Sequence, residues 1–519
     1  MDAGLSINEW ITFKSLRKYC CHSMQSKKVI IIGAGVGGVT SAIYLAQKGF
    51  EVHIFEKNNY PGGRCSFVEK NGHRFDIGAT LLMMTDIYEK AYELMGHKLQ
   101  DELDLIRMDP VYHINFKNKK SVVFTSDLSS LKRQFESLEE GSFERFLQYM
   151  DESYTAYKKS MKQVIDKNYQ RATDFFNLKT GFLLWRLKAF RNLHKHTSRF
   201  FKSDLLKTVF TFQNIYVGQN PFKASAIFAM LPFLELIDGV WFPKGGMGKI
   251  TENLISIAKK NNVKIHYSSL VEKILQDGDK VNGIELAGGS KIQGDIVLSN
   301  ADLPYVYKNL LNDAYSKNKT KKFRYTCSAF MFHWGMKKVY PQLNQHNVYV
   351  SSDYKTNIDA LFEHYALPDE PSFYVHAPCR HDKSAAPEGK DSVSVIVPTG
   401  HIVSGRDYNW EELKIKARKS VLERLEEEGM SDFENNIDFE ICYTPNTWDK
   451  VFNLSNGAIF GSLSHDIMQM GYMRPQNQHK KFKNLFFTGG STHPGNGVPM
   501  VLLSAKLTAD KVLHYINKH

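Results

Sequence analysis

Apolar and polar positions divide the chain into stretches of different texture. A short apolar run at 29–32 ends in glycines, a helical segment follows at 40–47, and a second apolar run occupies 52–55. Strand, glycine turn, helix and strand in that order predict a βαβ unit with parallel strands. Residues 111–123 alternate and predict further strands. From 128 to about 237 the apolar spacing is almost entirely helical and rich in aromatics. Pro243-Lys-Gly-Gly-Met247 predicts a sharp turn opening a helix over 248–260. Strands are predicted at 263–267, 271–274 and 295–299. Beyond 306, strands are expected at 325–334, 372–375, 393–397 and 439–443, with a helix at 411–428, together building a sheet under the substrate site. A last strand ending at Phe487 feeds a glycine-rich turn and an apolar helix over 500–513. No internal repeat interrupts this order.

The first glycine turn has a specific spelling. It reads Gly33-Ala-Gly35-Val-Gly-Gly38, and the second apolar run ends in Glu56. Gly-x-Gly-x-x-Gly between a strand and a helix, with an acid about twenty residues later, is the fingerprint of a dinucleotide-binding unit. Gly33 permits the tight turn, Gly35 the approach of a pyrophosphate, and Gly38 close packing of helix on strand. The pyrophosphate is expected on free N–H groups at the helix N-terminus. Glu56 is placed to accept hydrogen bonds from a ribose diol. Directly beyond lies Pro61-Gly62-Gly63-Arg64. NAD needs no such loop; in flavoproteins of the amine-oxidase type it contacts the second half of a longer cofactor, so FAD is expected. Arg64 offers planar donors to phosphate or flavin oxygens. Gly78-Ala79-Thr80 suits close approach by a flat ring. At the opposite end of the chain, Gly489, Gly490, His493, Val498 and Pro499 form a second such turn at the head of the last helix. Val271 is expected to run past the adenosine, and Asn300 to end its strand at a polar turn.

At 519 residues the chain admits two or three domains or one intertwined pair. The expected fold is α/β, with a discontinuous Rossmann-like FAD-binding domain (27–110, 244–305 and 480–519). Inserted in it is a mixed-sheet and helical domain for substrate and membrane (111–243 and 306–479). Residues 1–26 read as an N-terminal extension, expected to be disordered, in which Cys20-Cys21 is a weak acylation signal. The six cysteines show neither metal spacing nor a disulfide framework, so a reducing compartment and no metal are expected. The net charge of +12 suits an acidic partner. No nucleic-acid module is present, which leaves an anionic membrane surface. No apolar run approaches the ~18 residues of a membrane span, and the opening residues lack a secretory core. A peripheral position on the cytoplasmic side of a membrane is therefore expected. Homo-oligomerisation stays open.

Several further motifs carry a family resemblance: Tyr216-Val-Gly218-x-Asn-Pro221, Gly239-Val-Trp-Phe-Pro243-Lys-Gly245-Gly246-Met247, Leu298-Ser-Asn300-Ala301-Asp302, Arg474-Pro475, and Gly490-Ser-Thr-His493-Pro494-Gly495. With the glycine turn and the Gly-Gly-Arg loop, they make the chain resemble the carotenoid desaturases of the bacterial and fungal phytoene desaturase type, from about residue 27 to 515. The resemblance implies an FAD enzyme that removes a hydride and a proton from a long isoprenoid hydrocarbon, C30 or C40. Oxygen or a membrane quinone would reoxidise the flavin. A carotenoid oxidase or ketolase, a retinol-saturase-like relative, and a non-catalytic prenyl-lipid carrier on the same fold remain alternatives.

For polar work inside an oily tunnel, two carboxylates stand out. Asp174, in Ala172-Thr-Asp174-Phe175-Phe176, falls at a place that resembles an acid proposed as acid/base in the bacterial desaturases, although Asn177 stands where those enzymes carry an arginine; its other role is a helix cap. Glu235 sits between Leu234 and Leu236, where burial would raise its pKa; its other role is a paired structural carboxylate. His493 either orients the cofactor or caps the last helix. Over 178–203, seven basic residues and no acidic one interleave with Phe182, Trp185, Phe190, Phe200 and Phe201. That composition predicts an interfacial helix whose aromatics enter lipid while its cations hold anionic headgroups.

Overall fold

The computed structural model describes residues 27–169 and 171–518. The expected N-terminal extension lies outside them. Five parallel strands form the first sheet, in the order Leu485–Phe487, Ile296–Ser299, Lys28–Ile32, Glu51–Phe55, Lys264–His266. Strands from three separated stretches of chain therefore lie side by side, with the Lys28–Ile32 strand at the centre.

The apolar run of that central strand is continuous because both of its faces are buried. Val29 and Ile31 pack with the Val36–Ala46 helix, the Gly248–Lys260 helix and the C-terminal Val498–Lys518 helix. Ile30 and Ile32 face the other way, onto Ile274, Val281 and Ile284 of a three-stranded antiparallel sheet. Val271 opens that small sheet, in the Val271–Asp277 strand.

The second large sheet has seven strands: Ile437–Tyr443, Ser328–Met336, Asp391–Thr399, Phe373–His376, His346–Val350, Tyr112–Phe116 and Ser121–Phe124. Its pairs are antiparallel except that of His346–Val350 with Tyr112–Phe116. The Trp410–Glu427 helix covers one face, setting Ala417, Val421 and Leu425 against Phe332, Trp334 and Val393. The His346–Val350 strand is absent from the sequence expectation. It is buried along its whole length, and its polar first half, His346-Asn347, hides it from any hydrophobic pattern.

The expected single helix over 178–203 is corrected. The segment forms two short helices, Leu178–Arg186 and Leu193–Thr197, and Lys188 between them takes a left-handed backbone (φ 55°). Phe200 and Phe201 turn into the core, Phe201 stacking on Phe210 with ring centroids 4.7 Å apart. The aromatics free to meet another surface are those of the first helix and the turn after it. Among the described residues no helix is long and apolar enough to cross a membrane.

Candidate active site

Where the Lys28–Ile32 strand ends, Gly33 adopts φ 94° and the chain turns into the Val36–Ala46 helix. No side chain caps the N-terminus of this helix, so its first N–H groups face a cavity lined by Gly33, Gly35, Val36 and Gly37. A Cβ on Gly35 would lie 2.6 Å from Asn300 Nδ2, and one on Gly38 only 2.2 Å from the Gly33 carbonyl oxygen. Gly35 thus keeps the cradle open, whereas Gly38 serves helix-to-strand packing and does not line the cavity. Glu56, at the end of the neighbouring strand, is buried against the same cavity. Its Oε2 accepts from Ala34 N (2.8 Å) and its Oε1 from Asn58 N (2.9 Å). Burial pushes its pKa upward against the pull of these N–H groups.

The two ends of the chain meet across this cradle. Arg64 is half-buried near Asp302, donates through Nη1 to the Ile459 carbonyl (2.7 Å), and lies 3.4 Å from where a Cβ of Gly490 would stand. A Cβ on Gly489 would come within 3.0 Å of Asn300 Oδ1. Gly63, Arg64, Gly78, Ala79, Thr80, Val271, Asn300, Gly489, Gly490, Val498 and Pro499 all line one cavity with Gly33, Gly35 and Glu56.

His493 does not line it. Its imidazole is buried behind the turn, with Nε2 3.0 Å from the Lys167 carbonyl and the ring edge-on to Tyr169. Its carbonyl accepts from Ser504 Oγ of the C-terminal helix, which ties turn to helix. Arg474, whose side-chain role no local spacing announces, holds the same turn. Its guanidinium donates to the Thr492 (2.9 Å) and Gly490 (2.6 Å) carbonyls and to those of Ser464 and Gln469.

The cavity, ≈ 1410 Å³, continues far beyond this polar end. Drug-sized ligands occupy pockets of about 300–1,000 Å³, so there is room for more than one group. Its remaining walls are mostly apolar, including Phe212, Leu231, Leu234, Val348, Met331 and Phe373, drawn from the helical segment and from the seven-stranded sheet. It reaches the surface among Phe176, Leu178, Phe182 and Phe190, whose exposures are 56%, 94%, 59% and 66%.

Of the two carboxylates, Asp174 stands apart: it is exposed on a single 3-10 turn, its Oδ2 accepts from Arg171 N (2.8 Å), and it does not line the cavity. Glu235 is fully buried just behind the wall. The π-helical turn Leu234–Asp238 carries it. Burial pushes its pKa up to about 7, against hydrogen bonds from Gln213, Tyr216 and Tyr112. Among the described residues no group of His, Cys, Asp or Glu could hold a metal ion.

An uncapped helix N-terminus, glycines that cannot carry a Cβ, a buried carboxylate at the end of the neighbouring strand and a greasy annex point to a flavin-type oxidoreductase. The flavin containing amine oxidoreductase family matches residues 36–513. A putrescine oxidase variant of known structure shares the fold, with a TM-score of 0.61 at 11% identity over 94% of this chain and 99% of its own. Two relatives are much nearer in sequence. The zeta-carotene-forming phytoene desaturase of Myxococcus xanthus is 40% identical over 493 residues, 95% of each chain. The phytoene desaturase of Phycomyces blakesleeanus is 40% identical over 498 residues, 94% of this chain and 85% of its own. The chain belongs to the phytoene desaturase family within the flavin containing amine oxidoreductases.

Proposed function

We propose that the protein is an FAD-dependent desaturase that introduces double bonds into phytoene or a closely related carotenoid precursor. The observation that carries this reading is the continuity of the cavity from the glycine cradle to an apolar chamber and on to a greasy mouth. Gly33, Gly35, Asn300 and the free N–H groups of the Val36–Ala46 helix would hold the pyrophosphate, and Glu56 and Val271 the adenosine end. Gly63, Arg64, Gly78, Ala79, Thr80, Gly489, Gly490, Val498 and Pro499 would hold the flavin end. When bound, the flavin supplies a hydride acceptor. The protein's own part is to keep the hydrocarbon extended along its apolar walls, to exclude water, and to oppose the positive charge that hydride loss leaves on an allylic carbon.

The substrate argues for the docking site. Each buried CH2 is worth about 0.8 kcal/mol, so a long hydrocarbon does not cross water at a useful rate. The mouth residues Phe176, Leu178, Phe182 and Phe190, with Trp185 beside them, fit immersion in the headgroup region of a membrane, from which the substrate passes directly inside. Oxygen or a membrane quinone then takes the electrons. The test is incubation of the flavin-loaded protein with phytoene-bearing liposomes and chromatography of the product. Added double bonds with an unchanged oxygen count are expected. Products that gain oxygen, or no conversion, refute the reading.

A further inference from the structure

Tyr112 Oη and Tyr216 Oη both donate to Glu235 Oε1, each at 2.9 Å, and Gln213 Nε2 donates to Oε2 at 3.0 Å. Tyr112 comes from a strand of the seven-stranded sheet, Gln213 and Tyr216 from the 3-10 turn Phe212–Asn214 and the residues just after it, and Glu235 from the π turn. Both tyrosines line the cavity; Glu235 does not. A phenol has one proton. Each of these is spent on the carboxylate, which leaves both oxygens presenting only lone pairs to a chamber built for hydrocarbon. An acceptor-only wall of this kind gives no grip on an alkene, yet it suits a proton about to leave carbon.

Resting on the desaturase reading, the geometry points to Tyr112, Tyr216 and Glu235 as the proton acceptor of the reaction. The hydride leaves one carbon reversibly, so net flavin reduction is completed only when the adjacent C–H bond breaks and its electron pair becomes the new π bond. The proton lands on a phenol oxygen as that phenol's own proton passes to Glu235 Oε1. The phenol ends neutral, as it began; the carboxylate becomes a carboxylic acid; and the cationic hydrocarbon becomes a neutral alkene. One buried anion and one buried cation cancel, which a medium of low dielectric favours. The other titratable groups facing this trio are Tyr149 behind Glu235, His346 on the strand paired with that of Tyr112, and Tyr374 one strand further on. Burial holds His346 neutral, with its pKa well below the usual histidine value.

The experiment is anaerobic stopped-flow bleaching of the bound flavin by phytoene in liposomes, across pH, for wild type, Glu235→Gln, Tyr112→Phe, Tyr216→Phe and the double Phe variant. Flavin content and substrate KM are read alongside. We expect Glu235→Gln and the double Phe variant to bleach about a hundredfold more slowly, the usual scale of a lost acid–base group. Flavin content should be unchanged and KM within a fewfold. The wild-type rate should rise with pH through about 7, where Glu235 ionises. Glu235→Gln should lose that limb and Glu235→Asp restore part of it. Wild-type rates with the same pH limb in Glu235→Gln, or in the folded double Phe variant, overturn the assignment. A wild-type holoprotein that phytoene cannot bleach instead refutes the desaturase reading itself, and the assignment with it.

Discussion

Arg474 shows what a single side chain contributes here. It is 1% exposed, and burial draws its pKa down to about 9. Four backbone carbonyls offset that desolvation, two of them on the turn expected to cover the flavin. A lysine has one compact ammonium where the guanidinium has a planar fork, so Arg474→Lys should leave two or more buried carbonyls unpaired, at about 1–3 kcal/mol each. The expected result is at least a tenfold loss of FAD affinity, read as flavin absorbance retained through gel filtration and by titration of the apoprotein. Full retention would show that the turn holds its shape without the fork. Residue roles were legible in the sequence where the partners are neighbours in a motif. Gly33, Gly35 and Glu56 declare themselves by spacing, and all three reach the cavity. Tyr112 and Tyr216 do not, because their shared partner, Glu235, lies 123 residues from one and 19 from the other. His493 is a motif residue whose side chain points away from the site, which no spacing reveals.

Among the elements, the Leu178–Arg186 helix is lightly anchored to the rest of the fold. It buries Leu183 and leaves Phe182 and Trp185 outside, their rings stacked 5.9 Å apart. Phe190, on the turn beyond, is equally exposed. Exposed Lys179, Arg186 and Arg191 flank them, while Lys188 pairs with Glu152 and is thereby spent. A cation held at an anionic surface is worth about 1 kcal/mol, so Lys179→Glu, Arg186→Glu and Arg191→Glu together should weaken co-sedimentation with anionic liposomes about a hundredfold. Phe182→Ser with Trp185→Ser should weaken binding to neutral vesicles as well. Activity on detergent-dispersed substrate should survive both sets. Equal binding by all variants would remove this helix from the docking surface. Composition singled out this segment but missed its shape: charge and aromatic content are sums along the sequence, whereas the break at Lys188 is a single left-handed residue. The strands were easier to read because most bury an apolar run, and His346–Val350 escaped by beginning with His-Asn.

At the scale of the whole molecule, the chain order and the spatial order disagree in a way that bears on stability. Strands of the parallel sheet come from both ends and the middle of the sequence, and strands of the seven-stranded sheet lie between them. Neither sheet is completed before the other has begun. The cavity repeats the same sharing, since Gly33, Glu56 and Asn300 stand at strand ends of the first sheet, while Met331, Val348, Phe373 and Tyr374 belong to the second. A ligand that fills it therefore touches both. At free FAD a hundredfold above its Kd, the native state gains about 2.7 kcal/mol, and that gain should be felt by the two sheets together. Scanning calorimetry is expected to show one transition whose midpoint moves up with added FAD, and fluorescence from Trp334, buried within the seven-stranded sheet, and Trp448, buried against it, should follow the same shifted curve. Two separable transitions, only one of them raised by FAD, would mean that the sheets unfold independently and that the shared cavity does not couple them.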